Sequence, residues 1–110
     1  MKKGTILLNT YAGADNPLRV SLFIGRQSRG EKRTVTTLYV HDGKLKKATF
    51  EASSLFQTLI PVGYTDVLNR FTEEIENILN QPYEARTVKD DAELYACYLR
   101  ALRHFNKGLE

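Results

Sequence analysis

Residues 32–52 read KRTVTTLYVHDGKLKKATFEA, and this stretch decides the fold of the first half of the chain. Two runs rich in Thr, Val, Tyr and Phe, residue types that favour β-strands, flank the dipeptide Asp42-Gly43. Asp-Gly between such runs predicts a two-residue type I′ turn, because that turn requires a positive φ at both central positions. The stretch therefore predicts an antiparallel hairpin whose strands cover residues 32–41 and 44–52.

The two-residue turn also predicts which residues of this hairpin lie opposite each other. His41 is expected to face Lys44, and Tyr39 is expected to face Lys46. The adjacent Lys46 and Lys47 interrupt the alternation of apolar and polar residues, so a β-bulge at this point is one interpretation. Two exposed lysines on an edge strand are the other. The sequence leaves both interpretations open.

Two further strands are predicted ahead of this hairpin. Residues 5–11 predict the first strand. Residues 18–24 alternate apolar side chains with Arg19, Ser21 and Phe23, which indicates a half-buried second strand. The polar segment 25–31, which contains two glycines, predicts a loop that leads into strand 32–41.

Two amphipathic helices are predicted in the second half of the chain. Apolar residues recur at helical spacing behind an N-cap at Thr65, and this pattern stops before Pro82. A second helix begins near Asp90 and ends at Gly108. Acidic residues in its first turn and basic residues in its last turn complement the helix dipole.

The order of these elements predicts an α+β fold in a single domain over residues 1–110. A four-stranded antiparallel sheet is followed by two amphipathic helices packed on one face, since each apolar face has to be buried. Residues 53–60 fit either a short helix or an extended segment, which Pro61 and Gly63 would end. Residues 109–110 are compatible with a cloning remnant and carry no argument.

Charge is distributed unevenly along the chain. Residues 1–53 hold ten Lys and Arg against four Asp and Glu, whereas residues 54–110 hold six against nine. The predicted sheet is therefore basic and the predicted helices mildly acidic, which favours an anionic partner. No apolar run approaches the roughly 18 residues of a membrane span, and the N-terminus lacks the apolar core of a signal peptide. These features predict a cytoplasmic protein that does not enter a membrane.

The sequence contains no motif of an established catalytic or metal site. It has neither a Walker A loop nor a GxGxxG, GxSxG or HExxH pattern. His41 is interpreted as a strand-end residue and His104 as part of a basic last helical turn. Cys97, the single cysteine, is interpreted as a small, partly buried helical side chain rather than a reactive thiol. We therefore expect no catalytic activity, no metal and no cofactor.

The basic half also combines cations with aromatic side chains, as proteins that bind single-stranded nucleic acid do. Arg19 and Phe23 share the predicted polar face of the second strand, and Arg33 and Tyr39 share a face of the third. The candidate nucleic-acid-binding residues are Arg19, Phe23, Arg26, Arg29, Lys32, Arg33, Tyr39, Lys44, Lys46 and Lys47. The predicted function is a small accessory protein that binds single-stranded nucleic acid, or nucleic acid without sequence specificity, through this sheet face and the 25–33 loop.

A protein-interaction or regulatory scaffold domain without catalytic activity is the alternative prediction. The second helix carries apolar residues around much of its circumference, including Tyr95, Tyr98 and Leu99. This is more than a contact with one sheet requires, and the excess predicts a homodimer with twofold symmetry. Packing of Tyr95 and Leu99 against the first helix is the simpler explanation.

Overall fold

The computed structural model describes residues 2–13, 15–29, 31–52, 59–81 and 92–109. Its strands form one antiparallel sheet in the order β4-β3-β2-β1-β5. The strands are β1 (Thr5–Asn9), β2 (Val20–Arg29), β3 (Lys32–His41), β4 (Lys44–Glu51) and β5 (Leu59–Tyr64). A 3₁₀ helix (Val67–Phe71) and the α-helices α1 (Thr72–Asn80) and α2 (Ala92–Leu109) follow. The prediction of four strands is wrong, because β5 adds a fifth.

The fifth strand contains Pro61 and Gly63, the residues that the sequence analysis expected to end this segment. β5 lies at an edge of the sheet and pairs only with β1. An edge strand tolerates proline, because its backbone has to form ladder hydrogen bonds on one side only. A register shift opposite Ile6 and Leu7 accommodates the irregular pairing. Residues 53–58, which were expected to be helical or extended, lie outside the described residues.

The predicted β3–β4 hairpin is confirmed in its turn and its register. The Asp42-Gly43 turn has φ angles of 55° and 71°, as a type I′ turn requires. His41 pairs with Lys44 and Tyr39 pairs with Lys46, and the register continues to the end of β4 without a shift. The alternative of a bulge in β4 is therefore wrong.

Strand β2 extends further than predicted at its C-terminal end, whereas β3 covers the predicted residues 32–41. Each is ten residues long, and their ladder continues to the pair Arg29–Lys32. Most of the predicted loop 25–31 is therefore strand. A register shift between Phe23 and Gly25 makes a bulge in β2, so Gly25 marks an irregularity within the strand rather than a turn.

Both predicted helices are present, and the beginning of the first differs from the prediction. The first helical turn is 3₁₀, and the Thr65 hydroxyl oxygen accepts a hydrogen bond from the Val67 backbone N–H at 3.3 Å. Cys97 on α2 is buried, as expected for a structural thiol. The predicted helix start at Asp90 lies outside the described residues, as do the side chains of the last turns of α2.

The sheet is buried on both faces at its centre. On the helix face, residues of β1–β4 form a core with the 3₁₀ helix and both α-helices; its members include Ile6, Leu22, Leu38, Phe71, Ile75, Leu94 and Tyr98. On the opposite face, which we call the outer face, a smaller buried cluster contains Leu7, Phe23, Val35 and Leu59. Because side chains alternate along a strand, these two clusters assign every paired residue of β2–β4 to one face.

Candidate nucleic-acid interface

The outer face carries charge of one sign. Arg26 pairs with the buried Val35, and Arg33 lies two residues before Val35 on β3, so both lie on this face. The register of the β3–β4 hairpin places His41, Lys44 and Lys46 on the same face. All of them except the half-buried Lys46 are exposed. No acidic residue of the described strands lies on this face, since Glu51 pairs with Thr34 on the helix face.

The aromatic side chains predicted to stack on bases are buried. Phe23 and Tyr39 are on the outer face, as alternation predicted, but their exposed fractions are only 3% and 8%. Phe23 packs with Leu7 and Val35 in the outer cluster. Burial of such large apolar surfaces stabilises the sheet by about 2 kcal/mol each, and it leaves no ring face for a base. The aromatic platform expected from the sequence is therefore not accessible.

Lys47 is also absent from the surface. It pairs with Leu38 on the helix face and has an exposed fraction of 2%. Its ammonium group donates hydrogen bonds to the carbonyl oxygens of Ile78, at 3.0 Å, and of Gln81, at 2.8 Å. These carbonyls end α1, so Lys47 caps this helix and does not contribute to an external basic surface.

Arg19 is half-buried beside the connection between β1 and β2. It precedes β2, and its guanidinium group donates a hydrogen bond to the carbonyl oxygen of Ala12 at 2.9 Å. Its own carbonyl oxygen accepts a hydrogen bond from the Asn9 N–H at 2.7 Å. The half-buried Arg19 thus stabilises the β1–β2 connection, and we assign it no role in binding.

The remaining predicted cations lie at the tip of the β2–β3 ladder. Arg29 and Lys32 form its last pair, next to the pair of Ser28 with Arg33. The side chains of Arg29 and Lys32 lie outside the described residues. Their backbones nevertheless place two cationic residue types one pair beyond the exposed Arg33.

The exposed cations of the outer face are not neutralised by the described parts of the chain. The described parts of the chain contain two ion pairs, His41–Asp42 at 3.2 Å and Arg70–Glu93 at 3.7 Å. Neither involves the four long outer-face cations, which are Arg26, Arg33, Lys44 and Lys46. The acidic side chains Glu73, Glu74 and Glu76 lie on α1, beyond the helix face. Among the described residues, the outer-face cations and the acidic side chains of α1 thus lie on opposite sides of the sheet.

His41 is the residue of this surface that the sequence analysis left out. It was interpreted only as a strand-end residue, although the predicted hairpin register already paired it with Lys44. The structure keeps that pair on the outer face, with the His41 imidazole 45% exposed.

Other kinds of site find no support in the described residues. No group of three or more His, Cys, Asp and Glu side chains there could hold a metal ion. Within the same ranges, no helix has both the length and the apolar character of a membrane-crossing segment. No known protein family, curated protein or solved structure is significantly similar to this chain.

Proposed function

We propose that this protein binds nucleic acid without sequence specificity, by contacts between its outer-face cations and the phosphate backbone. One observation carries the proposal: every charged residue that strand alternation assigns to this face is basic. Contacts with phosphates supply most of the affinity of non-specific nucleic-acid binding. The proposal includes the cytoplasmic location expected from the sequence.

The spacing of the cations favours an extended anion over a small one. Arg26 and Arg33 lie toward one end of β2 and β3, and Lys44 and Lys46 lie at the other end of the β3–β4 hairpin. Six residues of β3 separate the rows of Arg33 and Lys46, a distance of about 20 Å. That distance covers about six phosphates of one nucleic-acid strand, whereas no single small anion could reach both groups.

Fluorescence anisotropy with labelled 20-nucleotide single strands and the matching duplex tests this proposal. Four phosphate contacts predict that the affinity falls about 100-fold between 50 and 200 mM salt, because bound counterions are released. A variant with Arg26, Arg33, Lys44 and Lys46 changed to glutamine is expected to lose measurable binding at 200 mM salt.

The matched control removes two exposed cations from α2. Arg100→Gln with Arg103→Gln is expected to change the affinity less than about threefold, because these residues lie on the opposite side of the sheet. Circular dichroism checks that each variant is folded. If neither nucleic acid binds at 50 mM salt, the proposed function is wrong.

A protein-interaction function is the second candidate, and the exposed edge strand β5 favours it. Ile60, Val62 and Tyr64 have exposed fractions of 47%, 39% and 51%. β5 contains no charged residue, whereas the other edge strand, β4, contains three lysines and one glutamate. Charged residues protect an edge strand from pairing with another chain, and β5 lacks this protection.

The homodimer expected from the sequence would form through this edge under the second candidate. Light scattering across a concentration series then gives twice the 12.6 kDa mass of one chain. Val62→Lys is expected to return the mass to that of a monomer, because a charge at an apolar edge opposes association. A monomeric wild-type protein at all concentrations would contradict the dimer.

A further inference from the structure

The paired ends of β2 and β3 extend beyond the rest of the sheet, and they are two-stranded at their last two pairs, because β4 flanks β3 as far as Thr34. We call residues 25–29 of β2, with residues 32–36 of β3, the hairpin arm. Its five pairs run from Gly25–Thr36 to Arg29–Lys32, a length of about 15 Å. In the described residues, β1 pairs with β2 only as far as Leu22, and β4 reaches only the row of Thr34. The last two pairs of the arm therefore extend past both neighbouring strands.

The base of the hairpin arm is held firmly while its outer part is exposed. Val35 and Thr36, at the base, have exposed fractions of 0% and 1%. A Cβ atom placed on Gly25 would lie only 2.8 Å from a methyl carbon of Leu79, so α1 packs directly against this backbone. Arg26 and Arg33 are exposed. This packing fixes the direction in which the arm presents its arginines.

The arm is rich in arginine and contains no aromatic residue. Its cationic residues are Arg26, Arg29, Lys32 and Arg33, and the single acid nearby in sequence is Glu31. Arginine presents a rigid fork of donors that matches both phosphate oxygens and the guanine edge. The neighbouring aromatic residue Phe23 is buried, and Phe50 packs against the outer cluster. Stacking on unpaired bases, on which single-strand binding depends, therefore has no exposed ring on the arm, and the exposed rings of Tyr11 and Tyr64 lie after β1 and at the end of β5.

These observations distinguish between forms of nucleic acid. A two-stranded ribbon fits the major groove of B-form DNA, which is about 12 Å wide, but not the minor groove of about 6 Å. Resting on the proposed function, we infer that the partner is duplex DNA and that the two-stranded end of the hairpin arm enters its major groove. Arg33, which lies in this end, contacts the groove wall, and Arg26, Lys44 and Lys46 contact phosphates alongside.

Comparison of one 20-base-pair duplex with each of its separated strands tests the partner class. At 100 mM salt, anisotropy is expected to give an affinity for the duplex at least 10-fold higher than for either strand. Methyl green, which occupies the major groove, is expected to displace the protein, and netropsin, which occupies the minor groove, is not. Equal affinity for single strands, or displacement by netropsin alone, would overturn the inference and leave the proposed function intact.

Paired variants test the role of the arm itself. Arg26→Gln with Arg33→Gln is expected to weaken duplex binding at least 10-fold and to lower the slope of log affinity against log salt by about 2. It is also expected to abolish the preference for the duplex, whereas Lys44→Gln with Lys46→Gln preserves that preference. Arg100→Gln with Arg103→Gln is the charge-matched control. If the arm variant keeps the duplex preference, the arm does not enter the groove; if no variant or wild-type protein binds either form at low salt, the proposed function itself fails.

Discussion

Lys47 places a cationic side chain in the interior, where its hydrogen bonds to Ile78 and Gln81 close the end of α1. Lys47→Met retains the apolar stem and removes the donor. We expect this change to lower the free energy of unfolding by about 2 kcal/mol, because carbonyl groups at the end of α1 lose a buried partner. Urea unfolding followed by circular dichroism measures the change.

The neighbouring Lys46 provides the control for this prediction. It lies on the outer face opposite Tyr39 and is half-buried. Lys46→Met is expected to change the free energy of unfolding by less than about 0.5 kcal/mol, as for most surface substitutions. Equal losses for the two variants would show that Lys47 does not act as a specific helix cap.

Tyr98 connects α2 to the sheet through a buried hydrogen bond. Its hydroxyl donates a hydrogen bond to the carbonyl oxygen of Leu38 at 3.1 Å, and burial raises the pKa of Tyr98 above its ordinary value. The unfolded chain therefore releases this proton at lower pH than the folded protein does. The stability that depends on protonated Tyr98 is complete below about pH 10 and declines as the pH rises further.

Tyr98→Phe tests this pH dependence. At pH 7 we expect the variant to lose about 1 kcal/mol of unfolding free energy, because the Leu38 carbonyl loses its buried donor. Above pH 10, the unfolding free energy of the variant is expected to fall less steeply than that of the wild type. Parallel curves for the two proteins in urea titrations from pH 8 to 11 would contradict the assignment.

Among the elements, β5 depends on a close backbone approach at Gly4. Gly4 has a φ of 97°, and its carbonyl oxygen accepts a hydrogen bond from the Thr65 N–H at 2.9 Å. A Cβ atom at this position would overlap the carbonyl oxygen of Thr65. Glycine is therefore required where β1 begins and β5 ends.

Gly4→Ala is expected to lower the free energy of unfolding by about 2 kcal/mol or more, through strain at positive φ and displacement of β5. Gly13→Ala is the control, because nothing lies within 4 Å of a Cβ atom there and its φ is not positive. Thermal unfolding compares the two variants. Hydrogen exchange that stays unchanged in β5 of Gly4→Ala would contradict the role given to this contact.

At the scale of the molecule, the described outer-face cations and the acidic residues of α1 lie on opposite sides of the sheet. The acidic residues of α1 are Glu73, Glu74 and Glu76. Changing all three to glutamine raises the formal net charge from +3 to +6. Despite this, we expect nucleic-acid affinity at 150 mM salt to rise less than about threefold, because α1 packs on the opposite face of the sheet and salt screens exposed charges over about 8 Å.

Anisotropy with the same duplex measures this effect, and the variant with Lys44→Gln and Lys46→Gln is its counterpart. That variant loses two positive charges from the outer face and is expected to weaken binding by more than the α1 variant strengthens it. If affinity instead followed net charge alone, binding would depend on the total charge and not on one face.

The sequence by itself determined the β3–β4 turn and the alternation of side chains within the predicted strands. Asp42-Gly43 requires a type I′ turn, and this turn sets the register that pairs Tyr39 with Lys46. Strand alternation then placed Arg33, Phe23 and Tyr39 on one face. These features depend on backbone torsion angles and on periodicity, which act over a few residues.

Only the tertiary structure decided which of these side chains reach solvent and which strand completes the sheet. Burial of Phe23 and the capping of α1 by Lys47 depend on contacts between elements distant in sequence. β5 exists because the edge of β1 offers backbone partners to a segment whose Pro61 argues against a strand. Burial and edge pairing arise from the packing of the whole chain, which no local pattern encodes.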